Sequence, residues 1–260
     1  MNQVISKDGT SIAYDQLGSG APVILVSGGS VARGSNAPLA TLLAEHFSVF
    51  NYDRRGRGPS GDTLPYAVER EVEDIAAVVT AAGGSVYLYG SSSGAALALE
   101  AARQLSSISK LALWEPPFIL DPAFRPPADT AKTFHDLVAA GRRDAAAEFF
   151  MGTVVGMPAD FVAFAKSQPW WAAQEALAHT LEYDAIIMGD YSLPEARIAE
   201  VKIPTMVING AASMPFFQPS ADAMVKLLTH GQRATLEGQQ HNVAADVLAP
   251  VLVEFFANAS

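Results

Sequence analysis

The sequence predicts an α/β protein, a doubly wound and mostly parallel sheet that carries an inserted helical cap. Apolar runs of strand length alternate with stretches of helical spacing at both ends of the 260-residue chain. Between residues 117 and 196 the alternation stops, and short helical segments rich in Ala, Phe, Trp and Met replace it. Strand–helix alternation lays helices on both faces of a parallel sheet, and a helical stretch within it reads as a cover over one end. The core is therefore expected over 1–116 and 197–260, and the cap over 117–196. In such sheets chemistry belongs at the carboxyl ends of the strands, beneath whatever covers them.

The elements follow in order. "VISKDGTSIAYDQLG" alternates apolar and polar residues around Asp8-Gly9, a hairpin turn signal. "PVILVSGG", from Pro22, is a continuous apolar run ending in glycines, as a strand buried on both faces would be. Residues 37–46 have helical spacing, and "FSVFNYDRRGRG" is a strand entering a charged, glycine-rich loop. Val68, Val72, Ile75 and Val79 share one face of a helix that stops at Gly83-Gly84. "SVYLYG" is a strand, "SSGAALALEAARQL" a helix and "KLALWE" a strand. Then come the helical pieces "TAKTFHDLVAAG", "RDAAAEFFMGTVV" and "PWWAAQEALAHT". Alternation resumes with "PTMVING", "SADAMVKLLTHG", "RATLEG" and "VLAPVLVEFFAN".

Composition narrows the classes. Half of the residues are hydrophobic and 17% are charged, which suits a globular core. A net charge of −10 repels phosphate backbones, so no nucleic-acid partner is expected. With no cysteine in the chain, disulfides, thiol catalysis and Cys-zinc sites are excluded. No pair of histidines has the spacing of a metal motif such as H-E-x-x-H, and no metal or cofactor is expected. "MNQVISKDGT" has no secretory pattern, and no apolar run reaches membrane-spanning length. The expectation is a cytoplasmic protein, monomer or homodimer, whose partner is a small-molecule substrate and not a membrane.

"YGSSSGAA" places three serines at a strand end, and Gly90, Ser92 and Gly94 fit G-x-S-x-G with Ser92 in the middle. A strand that turns at once into a helix forces its central residue into a strained conformation, and small neighbours permit the close approach. Ser92 is the candidate nucleophile. Ser91 and Ser93 read as small, backbone-shaping neighbours, although the amide of Ser93 also suits a developing oxyanion. A second such amide is expected from Gly29 in "SGGS"; an ordinary flexible turn is the plainer reading of that loop.

A serine hydroxyl needs a base. Of the five histidines, only His241, in "LEGQQHNV", follows a core strand, so His241 is the candidate. A carboxylate must then fix its tautomer and offset its charge. The usual place, the loop after "TMVING", has no Asp or Glu from Ala211 to Ser220, and Asp222 falls in the first turn of a helix. Glu115 in "KLALWEPPF" is the alternative: it ends the strand beside that of the nucleophile, where desolvation makes an unpartnered charge expensive. Either it serves His241 or it forms a structural pair, for instance with an arginine.

Taken with "GSSSG", "NYDRRGRGPSGD", "IPTMVINGAAS" and "LEGQQHNV", the chain resembles the α/β-hydrolase superfamily over essentially its whole length. Within it the chain is most similar to the zearalenone-type lactone hydrolases, which share a G-x-S-S-G elbow, a loop of small residues where the acid usually stands, and a Glu after the sixth strand. The resemblance implies Ser92, His241 and Glu115 as a triad, and Gly29 and Ser93 as oxyanion donors. It also implies that the loop from Asp53 to Gly58 is structural, its arginines bracing loops through carbonyls and carboxylates. Many relatives carry His-Gly where this chain has Ser27-Gly28, which changes how that loop is supported. Trp170 and Trp171 are candidate pocket walls, with packing as the other reading.

The expected function is hydrolysis of an ester or lactone of an apolar small molecule through an acyl-enzyme, without a cofactor. Carbon–carbon bond hydrolysis or acyl transfer on the same triad is the alternative within enzymes. A ligand-binding protein on a hydrolase fold, with little turnover, is the alternative outside them.

Overall fold

The computed structural model describes residues 1–258. Its strands are β1 (Asn2–Ile5), β2 (Ser11–Leu17), β3 (Pro22–Val26), β4 (Ser48–Tyr52), β5 (Val86–Ser91), β6 (Ile108–Trp114), β7 (Thr205–Gly210) and β8 (Gly231–Leu236). Among the described residues they form one sheet of eight strands in the order β1-β2-β4-β3-β5-β6-β7-β8. The β1–β2 hairpin is antiparallel and meets β4 antiparallel; every other pairing is parallel. The hairpin turns where its residues dictate, with Gly9 at φ +88° and the Thr10 amide donating to Asp8 Oδ1 at 3.0 Å.

Strand residues alternate between two apolar layers. Ile24, Val26, Val86 and Leu88 face one side, with α2 (Val68–Ala81) and α3 (Ser93–Gln104). Val23, Leu25 and Tyr89 face the other, with α1 (Ala37–Leu43) and α11 (Ala245–Ala257). Because both faces are covered, β3 shows no polar alternation and its four residues Val23 to Val26 are fully buried. On α2 the expected stripe packs inward through Val72, Ile75 and Val79, joined by Val78.

Between β6 and β7 the chain is helical: α4 (Thr130–Ala139), α5 (Arg143–Phe149), a π-turn over Phe150–Val154, α6 (Ala159–Lys166), α7 (Trp171–Leu177), α8 (Leu181–Met188) and α9 (Glu195–Glu200). The last of these straddles the 196/197 division and packs on α3 and on α10 (Phe217–Leu227), so it sits with the sheet. Helix α8 is unusual for its position. It is apolar nearly all round, because it lies between the rest of the insertion and α3, and it carries a buried aspartate, Asp184. Among the described residues no helix is long and apolar enough to cross a membrane.

Candidate active site

The carboxyl ends of β3, β5, β6 and β7 converge beneath the insertion. At the end of β5, Ser92 has φ +54° and ψ −129°, a backbone conformation that costs on the order of 1–3 kcal/mol. Neighbouring strands hold it there: its amide donates to the Trp114 carbonyl at 2.8 Å. The glycines around it are fixed by contact with backbone. A Cβ on Gly90 would stand 2.5 Å from the Gly94 carbonyl oxygen, and one on Gly94 would stand 2.3 Å from that of Ser27. The spacing G-x-S-x-G is thus the condition for β5, α3 and the β3 loop to meet.

Glu115 follows β6 directly, with φ +43° and 1% exposure. Its amide donates to the Ile208 carbonyl at 3.0 Å, and its Oε1 accepts the Gly210 amide at 2.8 Å. The other oxygen, Oε2, lies 2.7 Å from His241 Nδ1. The pairing with an arginine that the sequence left open is not what this carboxylate makes. Asp222 lies elsewhere, half exposed and paired with Arg233 Nε at 3.0 Å.

His241 lies in the loop after β8, and three contacts orient it. Besides Glu115, its carbonyl accepts from Trp114 Nε1 at 2.9 Å, and its ring stacks on Phe217 with centroids 5.1 Å apart. Phe217 opens α10, within the stretch from Ala211 to Ser220 that has no carboxylate, so the segment lacking the usual acid supplies an aromatic face to the same imidazole. Sequence reasoning missed Phe217, since "FF" in an apolar stretch reads as packing. No hydrogen bond joins Ser92 Oγ to His241; the two share one cavity wall.

That cavity has a volume of about 710 Å³. Gly28, Gly29, Ser92, Trp114 and His241 form its floor, and Met151, Val155, Met157, Phe161 and Trp170 come from the insertion. Among the described residues no Asp, Glu, Lys or Arg lines it. Burial pushes the Tyr89 hydroxyl well above the usual phenol range, so that group is neutral too. Trp170 reaches the cavity and remains 43% exposed at its mouth. The expectation for Trp171 is corrected: it is buried against Ala147, Ala165 and Met151, because successive positions of a helix point in different directions. Among the described residues no group of three His, Asp or Glu side chains gathers as a metal ion would need.

Beneath the floor lies a charged layer. Arg54 is held by Glu71 through two 2.7 Å contacts and reaches Asp184 Oδ1 at 2.7 Å. Arg57 donates to both Asp184 oxygens at 2.9 and 2.8 Å, and to the Gly28 and Val31 carbonyls. All four side chains are buried, and their formal charges cancel. Burial works against the Asp184 carboxylate, yet Arg57, Arg54 and the Ser93 hydroxyl outweigh it and hold its pKa below the ordinary value. Asp184 also escaped sequence reasoning. Its signal was that, of the two acids in "LEYDAIIM", Asp184 is the one with apolar residues at i−3, i+3 and i+4.

A model of the alpha/beta hydrolase family matches residues 23–251. The chain belongs to that family. An alpha/beta hydrolase from Sphaerobacter thermophilus is 49% identical, with a TM-score of 0.92 over 98% of this chain and 100% of that one. A non-heme haloperoxidase from Rhodococcus erythropolis is 24% identical over 97% of this chain and 98% of its own length. A shorter match, to an uncharacterized hydrolase of Bacillus subtilis, is 33% identical over 38% of each chain. The enol-lactonase of Burkholderia xenovorans shares the fold at 19% identity, with a TM-score of 0.76 over 99% of this chain and 100% of that chain.

Proposed function

We propose that this chain is a cofactor-free serine hydrolase that cleaves esters or lactones of uncharged, apolar small molecules. The observation that carries the reading is the 2.7 Å contact between the buried Glu115 and His241, set at the wall of a cavity shared with the strained Ser92. A carboxylate on Nδ1 leaves Nε2 as the basic nitrogen facing the cavity. His241 takes the Ser92 proton, and the hydroxyl oxygen attacks the substrate carbonyl; such serine–histidine contacts tighten once substrate is bound. The amides of Gly29 and Ser93 donate hydrogen bonds to the developing oxyanion, each worth about 3–4 kcal/mol in comparable hydrolases. His241 then protonates the leaving alcohol, activates water against the acyl-enzyme and returns the proton to Ser92 as the acid departs. Glu115 offsets the imidazolium throughout.

In this reading the segment 117–196 is a cap that shapes substrate choice. A wall without charged side chains offers nothing to neutralise an ionised substrate, which supports uncharged ligands. The likeness in fold to an enol-lactonase is compatible with ring-opening substrates.

Reaction with a fluorophosphonate followed by intact-mass measurement tests the proposal. A single adduct is expected on Ser92, absent in Ser92→Ala and strongly slowed in His241→Ala. Folded protein that takes up no adduct would instead be a ligand-binding member of the family. A panel of p-nitrophenyl esters and lactones of increasing chain length then sets the substrate range.

A further inference from the structure

Asp184 on α8 reaches down from the helical insertion and touches the supports of both amides that the proposed mechanism gives to the oxyanion. We propose that Asp184 is a positioning residue for the oxyanion hole, aiming the Gly29 and Ser93 amides through Arg57 and the Ser93 hydroxyl, so that the insertion governs transition-state stabilisation as well as the pocket wall. The inference rests on the serine-hydrolase reading above.

The Gly29 side follows from peptide geometry. The Gly28 carbonyl and the Gly29 N–H belong to one planar unit, which is trans, so the two groups point in opposite directions. Arg57 Nη1 grips that carbonyl from below, and the N–H is thereby turned away from the charged layer, toward the cavity. The same peptide lies against the nucleophile, since a Cβ on Gly28 would stand 2.9 Å from Ser92 Cβ. Asp184 is the carboxylate that holds Arg57 in place, receiving Nη2 on both oxygens. It also fills the space under Gly29, where a Cβ would meet Oδ2 at 3.1 Å.

The Ser93 side is more direct. Ser93 opens α3, where the first amides have no partner within the helix and remain free to donate outward. Its hydroxyl donates to Asp184 Oδ1 at 2.8 Å, which ties the first residue of the helix to the same carboxylate. A second tie from the insertion grips the next residue of the β3 loop: the Ser30 hydroxyl hydrogen-bonds Gln174 Oε1, and Gln174 Nε2 donates to the Ser30 carbonyl at 3.3 Å. The loop from Gly28 to Val31 is thus supported from beneath by Arg57 and from above, through Gln174, by the insertion.

Asp184→Asn is the primary test, because it keeps the volume but cannot accept from two guanidinium groups with both of its terminal atoms. Loss of a single oxyanion donor lowers kcat by about 10²–10³-fold, and misaiming should cost less, about 10–100-fold. The expected result is a kcat lower by that factor with KM within about threefold. The inhibition constant of an alkylboronic acid, which forms a tetrahedral adduct on serine, should rise by the same factor as kcat/KM falls. A purely structural role would lower the melting temperature but leave kcat per titrated Ser92 and the boronate constant unchanged.

Ser93→Ala is the second variant, since it removes only a hydroxyl and keeps the amide. A three- to tenfold loss of kcat at unchanged KM, matched by weaker boronate binding, is expected. Wild-type kcat and boronate affinity in folded Asp184→Asn overturn the inference. If Asp184→Asn does not fold, the same result in Ser93→Ala overturns it. Wild-type protein that forms no fluorophosphonate adduct defeats the hydrolase reading itself, and the inference with it. An adduct combined with unaltered Asp184→Asn kinetics defeats the inference alone.

Discussion

Glu115 and His241 meet at 2.7 Å across 126 residues of chain, and the carboxylate that makes the contact is almost fully buried. A buried carboxylate is tolerated when hydrogen bonds and a potential cation satisfy it, and here the Gly210 amide and the imidazole do so. Glu115→Gln should therefore leave the fold intact and lower kcat by about 10²–10⁴-fold, since the wrong tautomer of His241 is then favoured. Asp222→Asn, at an exposed pair with Arg233, should change kcat by less than about twofold. Steady-state kinetics on a p-nitrophenyl ester distinguish the two; the reverse outcome would move the acid to position 222.

Phe217 packs flat on His241, and its removal should be felt as misalignment. Phe217→Leu keeps most of the volume, so stability should drop by less than about 1.5 kcal/mol. Loss of an aromatic pair worth about 0.5–1.5 kcal/mol predicts a kcat lower by roughly two- to tenfold. Thermal melts and kinetics on one preparation read both effects.

Gly94→Ala would press a methyl group to 2.3 Å from the Ser27 carbonyl oxygen, where backbone meets backbone. A destabilisation of about 3 kcal/mol or more is expected, with little soluble folded protein. By contrast Gly141→Ala meets no atom within 4 Å and should cost only what its φ of +72° imposes, about 1 kcal/mol. Denaturant midpoints of the two variants give the comparison.

The uncharged cavity wall predicts discrimination by charge. A p-nitrophenyl ester whose acyl chain ends in a methyl group should be hydrolysed with a kcat/KM at least about tenfold above the same chain ending in a carboxylate. Equal rates on the two would show that the acyl chain lies in solvent and not in the cavity.

Asp8 supplies a pH dependence away from the site. Burial opposes its ionisation, but hydrogen bonds from Thr10 and the ion pair with Arg55 outweigh it and bring its pKa to about 2. Because the folded value lies below the unfolded one, its contribution to stability is complete above the unfolded pKa, about 4, and is lost as pH falls toward 2. Asp8→Asn should therefore lower the melting temperature at pH 6 and converge with the wild type near pH 2. Curves that stay parallel over that range would contradict the assignment.

Much of the molecule was legible because it is written locally. Strand β3 announces itself as an unbroken apolar run, α2 as a 3.6-residue stripe, and the turn at Ser92 as glycines at fixed spacing. Periodicity and turn chemistry act between near neighbours, so they survive in a string of letters. Glu115 could be singled out for the same reason: a charge ending an apolar strand needs a partner wherever that partner lies. The sequence by itself thus determined the doubly wound sheet, the helical insertion and the short set of residues able to carry the chemistry.

Only the tertiary structure decided which of these meet. It separated Trp170 at the cavity from Trp171 in the packing, laid Phe217 on His241, and carried Asp184 from α8 into the charged layer under Gly29 and Ser93. Each depends on the rotation and docking of helices that are far apart along the chain, with no local preference to encode them. The reason is that burial rewards any apolar face about equally, whereas a guanidinium, a carboxylate and a carbonyl stabilise one another only at hydrogen-bonding distance and in one orientation. That geometry requires the insertion docked on the sheet, with Asp184 in contact with Arg54, Arg57 and Ser93.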